Sequence, residues 1–436
     1  MRPGVFPVGL AVVVGLAAML RFWSIDFGLP LVTHPDEPLI VDAADQMISG
    51  RTLNPGWFRY PALIIDIEAA LLSVIYAIDT LVGLSTDTIR SLGYGGGRIV
   101  MAGFGVATVA LTGLLGRKLA RLSLVVDRDD RSPSYDWLAD IAGLVAAGML
   151  AVSFIHVKDS HYLKPDIPTG FFTTLTLWFA LGAWEKPLPQ PAPLRREGAL
   201  DFVRRRAPSL LRGAGWGRGL VTPWLLAGIA VGLAAATKYT GAVVAIVPAM
   251  TLVLAWRSDG GMTLRQAAWI AVWMGLAAIT VFLLVNPYIL LAPREFLSPV
   301  DGIRAEFVHY RTGHDGAEGN DSWRWYLAEI WHHGFGPTLT PLIPLGALLA
   351  IQRLVADRRA ARNGRSGTSA LWLVLIFIPL YYAIIARYPV RFDRQLIPIL
   401  PYLALLGGFG VAATLALLAR WPADRRGRQT ATMTIC

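Results

Sequence analysis

The sequence predicts an all-α polytopic membrane protein, and three observations predict it. Hydrophobic residues make up 54% of the 436 and charged residues only 16%, whereas soluble domains carry about 25% charged residues. Mean hydropathy is +0.50. Apolar runs of about 16 to 25 residues recur from end to end, which suits bilayer crossings. An ordinary cytosolic enzyme is excluded, and one integral-membrane domain over residues 1–436 is expected. Forty Lys and Arg against 30 Asp and Glu leave a net charge of +10, which in such a chain reads as cytoplasmic-loop bias, so no nucleic-acid partner is expected. The single cysteine, Cys436, leaves neither an internal disulfide nor a Cys-based metal site.

The first run, residues 4–22, follows Arg2 and lacks a small-x-small cleavage site, so it reads as a retained signal-anchor with its N-terminus in the cytoplasm. Nine more runs follow at residues 98–116, 139–155, 167–184, 221–236, 241–256, 267–291, 335–351, 370–386 and 396–418, for ten spans. Segment 61–82 is also long enough, but Asp66 and Glu68 lie inside it and Asp79 near its end. A mid-membrane acid costs about 2.5 to 3.5 kcal/mol. Counting the segment as a span would also carry Arg117, Lys118, Arg121, Arg128 and Arg131 to the outside. It is therefore placed as an interfacial helix in a first outer loop, residues 23–97. The cytoplasmic side then collects 25 of the basic residues and the outside 15, in line with the positive-inside rule. Residues 185–219, rich in Pro, Arg and Gly, read as a solvated connector.

This topology puts the unusual polar segments on the outer face. Thr33-His34-Pro35-Asp36-Glu37-Pro38 sets two carboxylates beside a histidine in a proline-braced turn, which suits a general base as well as a plain helix cap. The short stretch His156-Val157-Lys158-Asp159-Ser160-His161-Tyr162-Leu163-Lys164-Pro165-Asp166 is far more polar than a connecting loop requires, and Asp159, His161 and Lys164 are its candidate ligands. Lys238 and Tyr239 stand at a hairpin apex, where the lysine either snorkels or contacts an anion such as a lipid phosphate. Arg387, Arg391 and Arg394, on the side that the charge rule disfavours, suit either a phosphate ligand or headgroup anchoring. A long outer loop, residues 292–334, adds aromatic and polar residues including Tyr310, Trp323, Trp325, His332 and His333, a composition suited to carbohydrate. A divalent metal at His309, His314 and Asp315 would match no standard spacing, so no metal or cofactor is assigned.

Four motifs in order then resemble the GT-C class of integral-membrane glycosyltransferases, particularly family 39, the protein O-mannosyltransferases and the aminoarabinose transferases. They are His34-Pro35-Asp36-Glu37, Trp57-Phe58-Arg59-Tyr60-Pro61, Asp159, and Thr237-Lys238-Tyr239-Thr240-Gly241. The resemblance implies a GT-C fold and a hexosyl- or pentosyltransferase that takes sugar from a polyprenyl-phosphate donor. The acceptor hydroxyl, on protein, glycolipid or polysaccharide, is attacked with inversion at the outer face of a bacterial plasma membrane, with membrane lipids as further partners. It implies Asp36 as general base, Glu37 orienting Asp36 or the acceptor, and Asp159 on sugar hydroxyls. Aminoarabinose transferases carry a lysine where Tyr60 stands, so Arg59 is expected to substitute in phosphate contact. Lipid-oligosaccharide mannosyltransferases have a Gln soon after the acidic pair, where this chain has Pro38-Leu39-Ile40-Val41. The competing class is a flippase of lipid-linked sugars, which would place its polar groups near mid-membrane; here they gather at one interface.

Overall fold

The computed structural model describes residues 4–32, 34–124, 136–185, 218–257, 262–312, 317–319, 321–362 and 370–433. The expectations resting on Thr33, Arg128, Arg131, the connector at 186–217, His314 and Asp315 lie outside them, as does the side chain of His309.

The chain is an all-α polytopic membrane protein. Helix α1 (Val5–Phe22) leads into α2 (Asp36–Ser49), α3 (Leu63–Val82) and the 39-residue α4 (Thr86–Leu124). Next come α5 (Asp136–Ala151), the short α6 (Phe154–Asp159), α7 (Asp166–Glu185) and α8 (Arg218–Thr237). A 3-10 turn, Tyr239–Ala245, runs into α9 (Ile246–Arg257), followed by α10 (Leu264–Val285). The second long loop holds α11 (Tyr288–Leu291), α12 (Pro293–Phe296), α13 (Ile303–Thr312), α14 (Ser322–Glu329) and a π turn, Ile330–Gly334. Helices α15 (Gly336–Leu339), α16 (Leu342–Arg362) and α17 (Leu371–Ile385), the 3-10 turn Asp393–Ile399 and α18 (Leu400–Met433) complete it. The strands among the described residues are two dipeptides, β1 (Ala317–Glu318) and β2 (Val390–Arg391), paired antiparallel.

Among the described residues six helical stretches are long and apolar enough to cross a membrane: Val5–Phe22, Thr86–Leu124, Tyr239–Arg257, Leu264–Val285, Gly336–Asp357 and Asp393–Ala419. The other four expected spans are also helical, as α5, α7, α8 and α17. Helix α4 begins twelve residues before the expected span at 98. The glycines that mimic a turn there, Gly93, Gly96 and Gly97, lie inside the helix where α3 crosses it, because a Cβ at any of them would strike Leu72, Leu71 or Glu68.

Two seams of small residues set the helix spacing. Gly408 of α18 lies on the Ala142 carbonyl of α5, and Gly228 and Gly232 of α8 lie on the carbonyls of Met274 and Ala278 in α10. The main core joins α5, α7, α17 and α18 through buried Leu150, Leu177, Phe377 and Tyr402, and a smaller one joins α2, α3 and α4 through Ile40, Ile65 and Met101. Arg21 in the last turn of α1 is fully buried and donates to the carbonyls of Leu150 (3.2 Å) and Ala151 (3.1 Å), partnering the open C-terminal end of α5.

The connections after α1, α5, α8, α10 and α17 meet at one end of the bundle. Ala62 N–H donates to Asn286 Oδ1 at 2.7 Å, Tyr239 Oη to the Phe58 carbonyl at 2.9 Å, and Ser322 Oγ to the Tyr388 carbonyl at 2.7 Å, while Lys158 is ion-paired with Asp393.

Candidate active site

Pro35 turns the chain into α2, so Asp36 and Glu37 fall in its first turn, where the helix dipole favours acidic side chains. The Asp36 amide donates to His34 Nδ1 at 3.1 Å. Asp36 Oδ2 is shielded from solvent and makes no hydrogen bond, although Arg394 Nη2 lies 3.3 Å away. Arg394 comes from the 3-10 turn before α18 and lies over the Phe392 ring at 4.1 Å. His34 Nε2 lies 3.3 Å from Lys164 Nζ, and Lys164 is itself paired with the buried Asp159. Burial first, and the Lys164 charge next, push the His34 imidazole down to about 4, so at neutral pH it is uncharged.

Lys238 sits in extended backbone between α8 and the following turn, and its Nζ contacts Asp166 Oδ1 at 2.7 Å. Gly241 closes that turn against the Ala234 carbonyl, where a Cβ would not fit. A narrow cavity of about 40 Å³ opens beside Lys238, lined also by Arg59, Tyr60, Tyr239, Glu306 and Tyr310, with Tyr381, Ile384 and Ile385 as its apolar wall. Arg59 pairs with Glu306 at 3.4 Å. Burial raises Glu306 above the usual carboxylate range despite the opposing charges of Lys238 and Arg59. Burial, with Asp36 adding, also raises the Tyr60 phenol well above its ordinary value.

His34, Arg59, Tyr60, Asp159, Lys164, Lys238, Tyr239, Asp36 and Arg394 therefore belong to one cluster, and three expected members do not. Glu37 is fully buried in a two-point pair with Arg98 (2.8 Å to each oxygen) and accepts the Leu163 amide at 2.9 Å, so it lies away from the cavity. His161 turns back to the Val157 carbonyl (2.9 Å) and the Trp23 carbonyl (3.2 Å). Arg391 lies on β2 over the Trp325 ring, 5.6 Å from its centre. Lys238 is also no snorkelling lysine, because it is 6% exposed and ion-paired. Each cation of the cluster faces a carboxylate: Arg394 faces Asp36, Lys238 faces Asp166, Lys164 faces Asp159 and Arg59 faces Glu306.

Asp166 and Glu306 escaped the sequence reading as site residues. Asp166 ends a stretch already singled out, and its partner lies 72 positions away. Glu306 is a lone acid in a polar loop with no motif around it. Among the described residues no three His, Cys, Asp or Glu side chains converge as a metal site.

No family model and no curated protein matches the sequence. Solved structures do match. ArnT from Cupriavidus metallidurans in the apo state superposes with a TM-score of 0.55 at 15% identity, over 93% of this chain and 60% of that one. The oligosaccharyltransferase AglB from Archaeoglobus fulgidus, in complex with an inhibitory peptide and a dolichol-phosphate, gives 0.52 at 13% identity, over 97% of this chain and 52% of that one. The chain has the GT-C fold. It spans 60% of the length of ArnT and about half that of AglB. In this GT-C bundle the carboxylate–cation cluster lies at the end where α2 begins and where the connections after α5, α8 and α17 meet.

Proposed function

We propose that the chain is an inverting glycosyltransferase that moves a sugar from a polyprenyl-phosphate donor to an acceptor hydroxyl at the outer face of the membrane, with Asp36 as general base. One observation carries this reading: Asp36 holds a shielded oxygen without a hydrogen bond next to Arg394, at the end of the bundle where Lys238 and Arg59 line a cavity. A hydroxyl becomes a competent nucleophile when a positioned carboxylate takes its proton. The acceptor oxygen then bonds to the anomeric carbon as its proton passes to Asp36 Oδ2. The bond from that carbon to the phosphate oxygen breaks on the opposite face, and the phosphate leaves with the electron pair, which inverts the centre.

Negative charge grows on the phosphate as that bond breaks. Lys238 uses one of its three N–H groups on Asp166, and its remaining donors, with Arg59, stabilise the growing charge. The apolar wall of Tyr381, Ile384 and Ile385 suits the first isoprene units. AglB, of similar fold, was solved with a dolichol-phosphate, which supports a lipid-phosphate donor.

The test is transfer by the purified protein in lipid nanodiscs, from radiolabelled polyprenyl-phosphate mannose, glucose and aminoarabinose to peptide, glycolipid and oligosaccharide acceptors. Label in an acceptor is expected with at least one donor. No transfer with any pair, together with movement of labelled donor across proteoliposome bilayers, would replace this reading with a flippase.

A further inference from the structure

The turn at residues 392–395 separates two depressions. On one side Gln395 lines the cavity that holds Lys238. On the other, Phe392 and Asp393 line an open groove of about 310 Å³, with Phe154 of α6, Arg391 of β2, and Trp325, Glu329 and His333. The last three are spaced by four residues, and the interleaved Ser322, Tyr326 and Ile330 are buried, so α14 turns one face to the core and the adjoining face to the groove. The π turn continues that face, with the Phe335 amide donating to the Ile330 carbonyl at 3.1 Å. His333 Nδ1 there lies 2.8 Å from Glu329 Oε2, and its ring 5.8 Å from that of Phe154.

The lining is of two kinds. Trp325, Phe154 and Phe392 offer flat apolar faces, and Phe154 is 56% exposed. Glu329, Asp393, Arg391 and His333 offer acceptors and donors in the same concavity. A fatty chain would strip water from those four groups without replacing their hydrogen bonds. A pyranose ring has C–H faces for the aromatic rings and hydroxyls at its edges for the carboxylates and the guanidinium. Consecutive residues join the groove to the base: Asp393 faces the groove, and Arg394 reaches Asp36 at 3.3 Å. Lys158 adds a second link, because it is paired with Asp393 and lies 3.5 Å from Asp159 in the cluster around His34.

We infer that this groove is the acceptor subsite and binds a sugar ring, so that the hydroxyl glycosylated belongs to a carbohydrate and not to Ser or Thr of a protein. The role as acceptor subsite rests on the transferase reading above; the binding of a sugar ring does not.

Saturation-transfer NMR on the full chain in nanodiscs tests this, with methyl α-D-mannopyranoside, methyl β-D-glucopyranoside, methyl β-D-galactopyranoside and a Ser/Thr hexapeptide as probes. At least one glycoside is expected to bind. Trp325→Ala and Glu329→Gln should each raise its Kd by about tenfold or more, and Trp325→Phe should restore it to within about threefold, since stacking carries the contact. The Glu329→Gln change, at the groove edge, covers the case in which Trp325→Ala fails to fold. Binding of the peptide but no glycoside, or glycoside binding indifferent to both substitutions, overturns the inference. Glycoside binding in the groove without transfer from any donor would sink the transferase and leave the sugar subsite standing. Transfer with acceptor KM unchanged in Glu329→Gln and Trp325→Ala would do the reverse.

Discussion

Asp36 lies beside Arg394, with one carboxylate oxygen free of hydrogen bonds, whereas Glu37, one residue on, has both oxygens held by Arg98 in a layer closed to solvent. The first turn of a helix points successive side chains about 100° apart, so one acid looks towards the 3-10 turn of Arg394 and the other into α4. The chemistry of the pair is thus divided by direction: an incompletely satisfied carboxylate can accept a proton from substrate, and a saturated one holds elements together.

Four substitutions break or sharpen this contrast. Asp36→Asn keeps size and removes the basic oxygen, so turnover should fall at least about 10²-fold with the melting temperature unchanged; near-normal transfer would erase the distinction between the two acids. Lys238→Ala should cost about ten- to a hundredfold in transfer efficiency and resist rescue by excess acceptor, because the loss lies in donor contact and in the charge built on the leaving phosphate. Full donor affinity and turnover in that variant would leave the phosphate to Arg59. Glu37→Gln strands the Arg98 charge in a dry layer, a defect of roughly 3 to 5 kcal/mol, so thermal unfolding should drop by more than about 5 °C. A stable but inactive Glu37→Gln protein would mean that the base had been assigned to the wrong neighbour.

The smallest effect concerns Glu68, fully buried beside that layer with neither oxygen hydrogen-bonded. Burial, with Glu37 adding, pushes its carboxyl up to about 8. A carboxyl raised in the folded state keeps a proton that the unfolded chain releases above about pH 4.5, so its contribution is intact below that pH and is lost as pH rises through 8. Glu68→Gln should match the parent protein near pH 5 and exceed it by at least about 3 °C near pH 9 in thermal melts. An equal gap at both pH values would show that Glu68 does not titrate there.

Much of the fold was legible because hydropathy is additive along a chain: each run expected to cross carries helix. Asp36, Lys238 and Arg394 were legible because each stood in a short motif or on the side where its charge needed a reason. Their partners were not, since Asp166–Lys238 and Arg394–Asp36 are long-range pairings that no local pattern encodes. The same applies to Glu37, whose partner Arg98 reads in sequence as the polar edge of a span and lies in fact well inside α4.

The bare glycines of α8 acquire a meaning from what stands at the end of that helix. Gly228 lies ten residues before Lys238, roughly 15 Å along the axis, and with Gly232 it lets the α8 backbone rest directly on α10. The pair acts as a mechanical gauge: the gap between two rods, fixed deep in the bundle, determines where an ammonium group stops at its mouth. A methyl group added at either glycine would wedge the rods apart and displace the charge without touching any substrate, so an error of fit in the apolar interior would surface as a defect in grip on the donor.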